Sequence, residues 1–229
     1  MSAAARILDL GGAEALRAVV DGRTPGIVPA ELAVQVTQEG SADYLRGLAD
    51  GYAQAAATHR VESVWSGPHE HTVPVRSTEQ ALVDLVAGAS EHLWLMTYSA
   101  RPHRPVLDAL GAARSRGVRV RVVVETLQGA GGALAGVEPG AAFLGVPGVE
   151  LWHWPVRERP ERSSRMHAKI AVADRRVLLV SSANLTQSGT VSNIEAGLLV
   201  RGGTAPRRAT EHLEALVGSG TLARLAVGA

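Results

Sequence analysis

The chain of 229 residues has no cysteine, a single lysine, two asparagines and only 3% aromatic residues. Without cysteine there is no disulfide framework and no thiolate metal site. With so few aromatics, the core must be aliphatic, built from Val, Leu, Ala and Ile. At 46% hydrophobic there is enough of it to bury a sizeable interior. A strong charge of either sign is also missing: the net charge is +1, which excludes a global polyanion-binding surface and leaves any attraction to phosphate local. No run approaches the ~18 apolar residues of a membrane span. Asp9 and Glu14 interrupt the apolar N-terminal stretch, so no signal-peptide core forms. A soluble cytoplasmic protein without a membrane partner is the expectation.

The shortage of Lys and Asn has a second use. Arginine supplies every other cationic side chain apart from histidine, which is the mark of a GC-rich coding background. Such a background removes Lys and Asn by mutation pressure, so the positions that keep them are suspects for a physical requirement. Lys169, Asn184 and Asn193 all fall within a stretch of about 25 residues.

The chain divides by pattern. Residues 1–60 read as a helical region broken by "DGRTPGIVPAE". One apolar set is Ile7, Leu8, Leu10, Leu16, Val19 and Val20; another recurs at helical spacing as Tyr44, Leu45, Leu48 and Tyr52. No chemical motif lies there. Residues 61–229 alternate helices and strands. Ser77 with Gln80 forms a capping box ahead of Leu82, Leu85 and Val86. "LWLMTYS" is a buried strand, and "RPVLDALGAARSRG" a helix with Pro105 near its start and Gly117 past its end. "VRVRVVVE" is a strand with Val118, Val120, Val122 and Val124 on one face. The Gly/Ala-rich residues 128–148 read as a loop, with no Gly-Lys-Ser/Thr to make it a phosphate cradle. "VELWHW", "HAKIAVAD", "VLLVSS" and "NIEAGLLVR" are further strands, and "PRRATEHLEALVGSG" closes the chain as a helix. This order argues for an α/β sheet layer with helical cover.

Three strand segments each carry a polar pair two residues apart: His167 and Lys169, Ser182 and Asn184, Asn193 and Glu195. Side chains at i and i+2 share a face, so neighbouring strands would gather the pairs at one place. Histidine is a nucleophile or general acid near neutrality. Lysine is a compact cationic donor for a phosphoryl oxygen. Ser and Asn add neutral donors, and a carboxylate can orient an imidazole and stabilise its cation. Together these suit phosphoryl transfer. No carboxylate cluster of the kind magnesium prefers is visible, so a metal-free route with no cofactor is expected.

The run His167-x-Lys169-x4-Asp174, then Ser181-Ser182-x-Asn184, then Asn193-x-Glu195, resembles the HxKxxxxD signature of the phospholipase D superfamily, with Ser181 where that family usually has Gly. The resemblance covers roughly residues 61–217. More narrowly, "HAKIAVADRRVLLVSSANLT" with "NIEAGLLVRG" is similar to the phospholipase-D-like component of DISARM anti-phage defence systems. It implies a mixed β-sheet flanked by helices with a small helical N-terminal region, and a metal-independent phosphodiesterase. His167 would be nucleophile or general acid. Lys169, Ser182, Asn184 and Asn193 would bind the phosphate, Glu195 would orient an imidazole, and Asp174 belongs to the catalytic signature, where its turn position favours structural support. The family's site needs two motif copies and this chain has one; His92, His103 and His153 are not followed by a lysine two residues on. A homodimer is therefore implied. The leading expectation is a nuclease acting on DNA in anti-phage defence, with other defence-system subunits as further partners. The alternatives are a phospholipid phosphodiesterase and a non-catalytic nucleic-acid-binding subunit. Outside the motif, His69 and His71 read as a solvated loop and Trp152, His153 and Trp154 as strand packing. The arginines at 157, 159, 162, 165, 175 and 176 read as either a solvated loop or a nucleic-acid contact.

Overall fold

A computed structural model of the chain describes residues 1–68 and 75–226. His69 and His71 lie outside the described residues. The chain forms two compact units, Met1–Arg60 and Val61–Ala229.

The first unit holds three helices, α1 (Ala3–Val20), α2 (Ala30–Val36) and α3 (Ala42–Thr58). The hydroxyls of Ser2 and Ser41 accept from the backbone N–H groups of Ala5 and Tyr44, capping α1 and α3. Gly12 kinks α1 with φ 65° and ψ −164°, a conformation that only glycine adopts cheaply. Ile7, Leu8, Leu16, Leu32, Val36 and Leu45 form the core. Leu10, Tyr44 and Tyr52 depart from the sequence reading by standing exposed. The buried stripe of α3 is narrow, carried by Leu45 and Ala49.

The second unit is a mixed sheet with helices on both faces. Its elements are β1 (Arg60–Ser66), β2 (Arg76–Ser77), α4 (Thr78–Ala87), β3 (His92–Thr97), α5 (Arg104–Ser115), β4 (Arg119–Val124) and α6 (Leu127–Ala130). They continue with β5 (Glu150–His153), β6 (Ile170–Ala173), β7 (Val177–Ser181), β8 (Glu195–Arg201), α7 (Ala205–Gly218) and β9 (Ala223–Arg224). Among the described residues the sheet has nine strands in the order β2-β1-β8-β7-β6-β3-β4-β5-β9. β3, β4 and β5 run parallel, as helix-connected strands do. β6, β7 and β8 form an antiparallel meander joined to β3.

β3 explains the two-sided cover. Leu93 and Leu95 join Val120, Val122 and Val124 in the core that α4 and α5 close with Leu82, Leu85 and Leu110. Trp94 and Met96 face the other way, with Val123, Val172, Leu178 and α7's Leu213. The Ser77 hydroxyl caps α4 through Gln80 N–H, but the Gln80 side chain donates to Asp84 rather than back to the cap. Residues 128–148 are more ordered than a loop. They contain all but the first residue of α6 and a 3-10 turn at Pro139–Phe143, and they bury Ala130, Ala142, Phe143 and Val146.

One buried ion pair fixes the path into the motif. The side chains of Glu125, at the end of β4, and Arg159 are fully buried, 2.7 Å apart. Arg159 also donates to the carbonyls of Gly129, Trp154 and Ser164. The other Glu125 oxygen accepts from Met166 N–H at 2.8 Å, the residue before His167. Gly129 is required here, since a Cβ would collide with both charged groups. Arg159 is thus neither solvated nor available to nucleic acid, because the carbonyls of its own loop and Glu125 satisfy its donors. Arg165 donates to the carbonyls of Ala130, Arg162 and Ser164.

Asp174 closes the hinge between β6 and β7. Asp174 and Arg175 both take positive φ, 50° and 58°, a region Asp tolerates better than most residues. The Asp174 carboxylate accepts from the N–H groups of Ser90, Glu91 and His92 and from the Ser90 hydroxyl, at 2.8–2.9 Å. Burial alone would raise its pKa; the donors, His92 N–H foremost, outweigh burial and hold it below the usual 3.8. A depressed carboxylate stabilises the fold above its unfolded pKa and loses that contribution as pH falls through the lower, folded value. Asp174→Asn should therefore lower the urea midpoint at pH 7, and the gap to wild type should shrink as pH drops below 3.8. A gap that stays constant down to pH 2 would rule out the charge as its source.

Candidate active site

The meander brings the three polar pairs to one end of the sheet. His167 and Lys169 come just before β6, where the chain is already extended; the Lys169 carbonyl accepts from Ser181 N–H at 3.1 Å. Sequence reasoning sets both on the strand itself, whereas regular pairing begins at Ile170. They still share a side: Lys169 Nζ lies 2.9 Å from His167 Nδ1 and 2.9 Å from the His167 carbonyl. Burial is the main reason that the Lys169 pKa falls below 10.5, and the charge of Glu195 opposes it. That opposition is itself a sign that Glu195, from β8, acts on the same site.

Ser182 follows β7 and Glu195 opens β8. The Ser182 hydroxyl donates to Glu195 Oε2 at 2.5 Å and accepts from Ala196 N–H at 3.2 Å. Asn193 donates to the other Glu195 oxygen at 3.4 Å. Asn184 is held differently: its Oδ1 accepts from Ser99 N–H at 3.2 Å, which leaves its amide N–H groups as the donors. A π-helical turn, Ser188–Ser192, carries the chain from Asn184 to Asn193. Gly189 must be glycine for that turn to close, because a Cβ would sit 2.6 Å from the Asn184 carbonyl oxygen.

His167, Lys169, Ser182, Asn184, Asn193 and Glu195 are thus gathered, and Asp174 is not. The signature groups Asp174 with the catalytic set, but it lies at the opposite end of β6 with its carboxylate filled by backbone donors. A strand rises ~3.3 Å per residue, so the five-residue separation puts it roughly 16 Å from Lys169. Its role is to clasp the β6–β7 turn. The other candidate histidines also have places of their own. His92 begins β3 at the Asp174 end. His103 pairs with Glu79 at 2.6 Å. His153 is half-buried, and burial is the main cause of its lowered pKa.

Some neighbours escape sequence reasoning. The Tyr98 ring packs 4.7 Å from the His167 ring and 5.8 Å from Lys169 Nζ. Thr97 Oγ1 accepts from Leu185 N–H at 3.0 Å, and Ser99 holds Asn184. These residues end the strand "LWLMTYS", and only the β3–β6 pairing brings that end to the motif. Glu125 is a further case. Its position at the end of a valine strand was the available signal.

Chemically the cluster offers an exposed imidazole, an ammonium beside it, the amide donors of Asn184 and Asn193, and one carboxylate held by the Ser182 hydroxyl. That set can attack phosphorus and bind its oxygens. A family model described as "Cardiolipin synthase, PLD-like domain" matches residues 82–217, more than half of the chain and all of this cluster. The chain belongs to the phospholipase D superfamily. Three solved structures share its fold. A phospholipase D family member, Nuc from Salmonella typhimurium, is 19% identical with a TM-score of 0.55, covering 74% of this chain and 99% of Nuc. NucT from Helicobacter pylori is 17% identical with a TM-score of 0.55, covering 70% and 97%. Phosphatidylserine synthase from Haemophilus influenzae Rd KW20 is 15% identical with a TM-score of 0.53, covering 86% of this chain and 55% of the synthase. No curated protein matches the chain. The phospholipase-D-like fold expected from the sequence, a mixed sheet flanked by helices, is the one observed. No helix among the described residues is long and apolar enough to cross a membrane.

If Lys169 serves phosphate, arginine should not replace it. Guanidinium keeps the charge but is planar and broad, and cannot set the same point charge against one oxygen in a crowded site. Lys169→Arg should fold normally and lose at least about tenfold in phosphodiester hydrolysis, roughly 1.4 kcal/mol, mainly in kcat. A wild-type rate in a steady-state assay would make the lone lysine an accident of composition.

Proposed function

We propose that this phospholipase D superfamily member is a metal-independent nuclease that cleaves DNA through a phosphohistidine, in a site shared across a homodimer. The observation that carries the reading is the convergence of His167, Lys169, Ser182, Asn184 and Glu195 at one sheet end. In this scheme an imidazole nitrogen of His167 attacks phosphorus, and the bond to the leaving oxygen breaks. The partner copy's equivalent imidazolium protonates that oxygen. It then takes a proton from water, which attacks phosphorus and breaks the P–N bond. Lys169 and the Asn184 amide hold the non-bridging oxygens, where charge gathers in the transition state. Ser182 and Asn193 fix Glu195, which orients an imidazole.

Support for nucleic acid comes from the match to Nuc and NucT over nearly their whole length, the nuclease-like branch of the superfamily. A second reading, a phospholipid phosphodiesterase, draws on the family model's description and on the phosphatidylserine synthase neighbour. A part in anti-phage defence, with other defence subunits as partners, is the narrower form of the proposal and rests on the sequence resemblance alone.

Support for the dimer comes from an uncovered strip of sheet beside the site. Val64, Leu179 and Leu199 face the core under α4, so Trp65, Val180 and Leu198 face the other way, and each is more than 40% exposed. Val180 and Leu198 are direct cross-strand partners. A second copy of the chain seated there would bury this strip close to Ser182 and Glu195.

The test incubates the full chain with labelled single- and double-stranded DNA, RNA and phospholipid vesicles, all in EDTA. DNA cleavage that persists in EDTA, is lost in His167→Ala, and comes from a dimer by light scattering is expected. Lipid turnover without DNA cleavage would favour the second reading. Activity lost in EDTA and restored by a divalent ion would overturn the metal-free route, and a fully active monomer would overturn the shared site.

A further inference from the structure

A cavity of about 410 Å³ opens on the α7 side of the sheet, and His167 forms part of its wall. Met96, Trp154, Met166, Leu216 and Leu222 supply most of the remainder. His167 therefore borders two environments. It contacts Lys169 and Tyr98 in the polar cluster, and it closes one side of an apolar hollow. A phosphodiester held at Lys169 would carry one of its substituents past that wall. The lining includes no carboxylate, and its cation, Arg165, is tied to backbone carbonyls, so the hollow neither repels an anionic chain nor offers it a strong salt link.

The shape and the chemistry select the occupant. The volume suits one flat group of nucleoside size and is too small for the paired acyl chains of a phospholipid. Trp154 is held as a platform, because its indole N–H donates to the Glu158 carbonyl at 3.3 Å and the Arg159 guanidinium lies 5.3 Å from the ring centroid. A fixed indole is a stacking surface that accepts any base, since every base has a π face. With the indole N–H already engaged, the walls present few donors to read a base edge.

We propose that this cavity is a base-binding subsite, which takes one unpaired nucleobase next to the scissile phosphate by stacking and apolar contact, with little choice among bases. The proposal rests on the nuclease reading and sharpens it: the substrate strand must be unpaired where it meets His167, so single strands and frayed ends are cleaved in preference to duplex.

The experiment compares wild-type cleavage of a single-stranded oligonucleotide with that of the same length carrying a central run of abasic residues, scoring cuts within the run. Intact strand should be cut at least about tenfold faster in kcat/KM, the order expected from losing one stacked base. An intact duplex should be cut more slowly than the single strand. Leu216→Trp, which fills the cavity, should bring the intact and abasic rates together. A 2-aminopurine in the run should change fluorescence on binding wild type and not Leu216→Trp. Equal wild-type rates on intact and abasic strands would overturn the subsite and leave the nuclease reading standing. Turnover of phospholipid vesicles with no cleavage of either strand would overturn both.

Discussion

Everything at the site depends on the antiparallel register of β6, β7 and β8. Ile170 opposes Val180, and Ser181 opposes Gly197. That pairing sets Lys169, Ser182 and Glu195 at the same end of three strands. Side chains alternate along a strand, so a slip of one residue would turn a whole set to the wrong face. The register is held at both ends. The Asp174 carboxylate clasps the far turn to the start of β3. At the near end, Gly189 lets the π-helical turn press against the Asn184 backbone.

A second constraint is less visible and electrostatic. Glu125 and Arg159 are buried as a pair and satisfied by backbone groups on three segments. Burying two charges carries a large desolvation penalty, so such a pair contributes little to net stability, while breaking it leaves a lone buried charge at a cost of about 3–5 kcal/mol. Its structural return is the position of Met166, whose N–H is fixed by Glu125. The motif histidine follows directly. The chain thus enters the site from a rigid anchor on β4 rather than from a free loop.

Much of this was legible in the sequence. Valines alternating in residues 118–124 marked a strand whose inward face is fully buried. The spacing of His167, Lys169, Ser182, Asn184 and Glu195 marked residues that the sheet does gather. What stayed hidden depends on contacts between distant segments. Arg159 reads, with its neighbours, as a solvated arginine or a nucleic-acid contact, because a loop sequence does not announce a buried partner 34 residues earlier. Tyr98 and Ser99 looked like the end of a core strand until the β3–β6 pairing put them beside the motif. Residues 128–148 read as a loop because Gly and Ala carry no periodic signal, yet the missing side chain of Gly129 is what allows close packing around Glu125. Asp174 shows the opposite case: the motif groups it with the chemistry, its turn position in the sequence already favours structural support, and its hydrogen bonds give it to the scaffold.

The central claim is that the imidazole of His167, beside Lys169, becomes bonded to phosphorus during turnover. The most direct measurement is a rapid quench of wild-type protein turning over a DNA substrate, kept alkaline because phosphohistidine is labile in acid, followed by peptide mass spectrometry. A nucleotide- or phosphate-bearing adduct on His167, formed and lost at rates that match product release, is the expected result. Full turnover with no adduct on His167, or with the adduct on another residue, would contradict it.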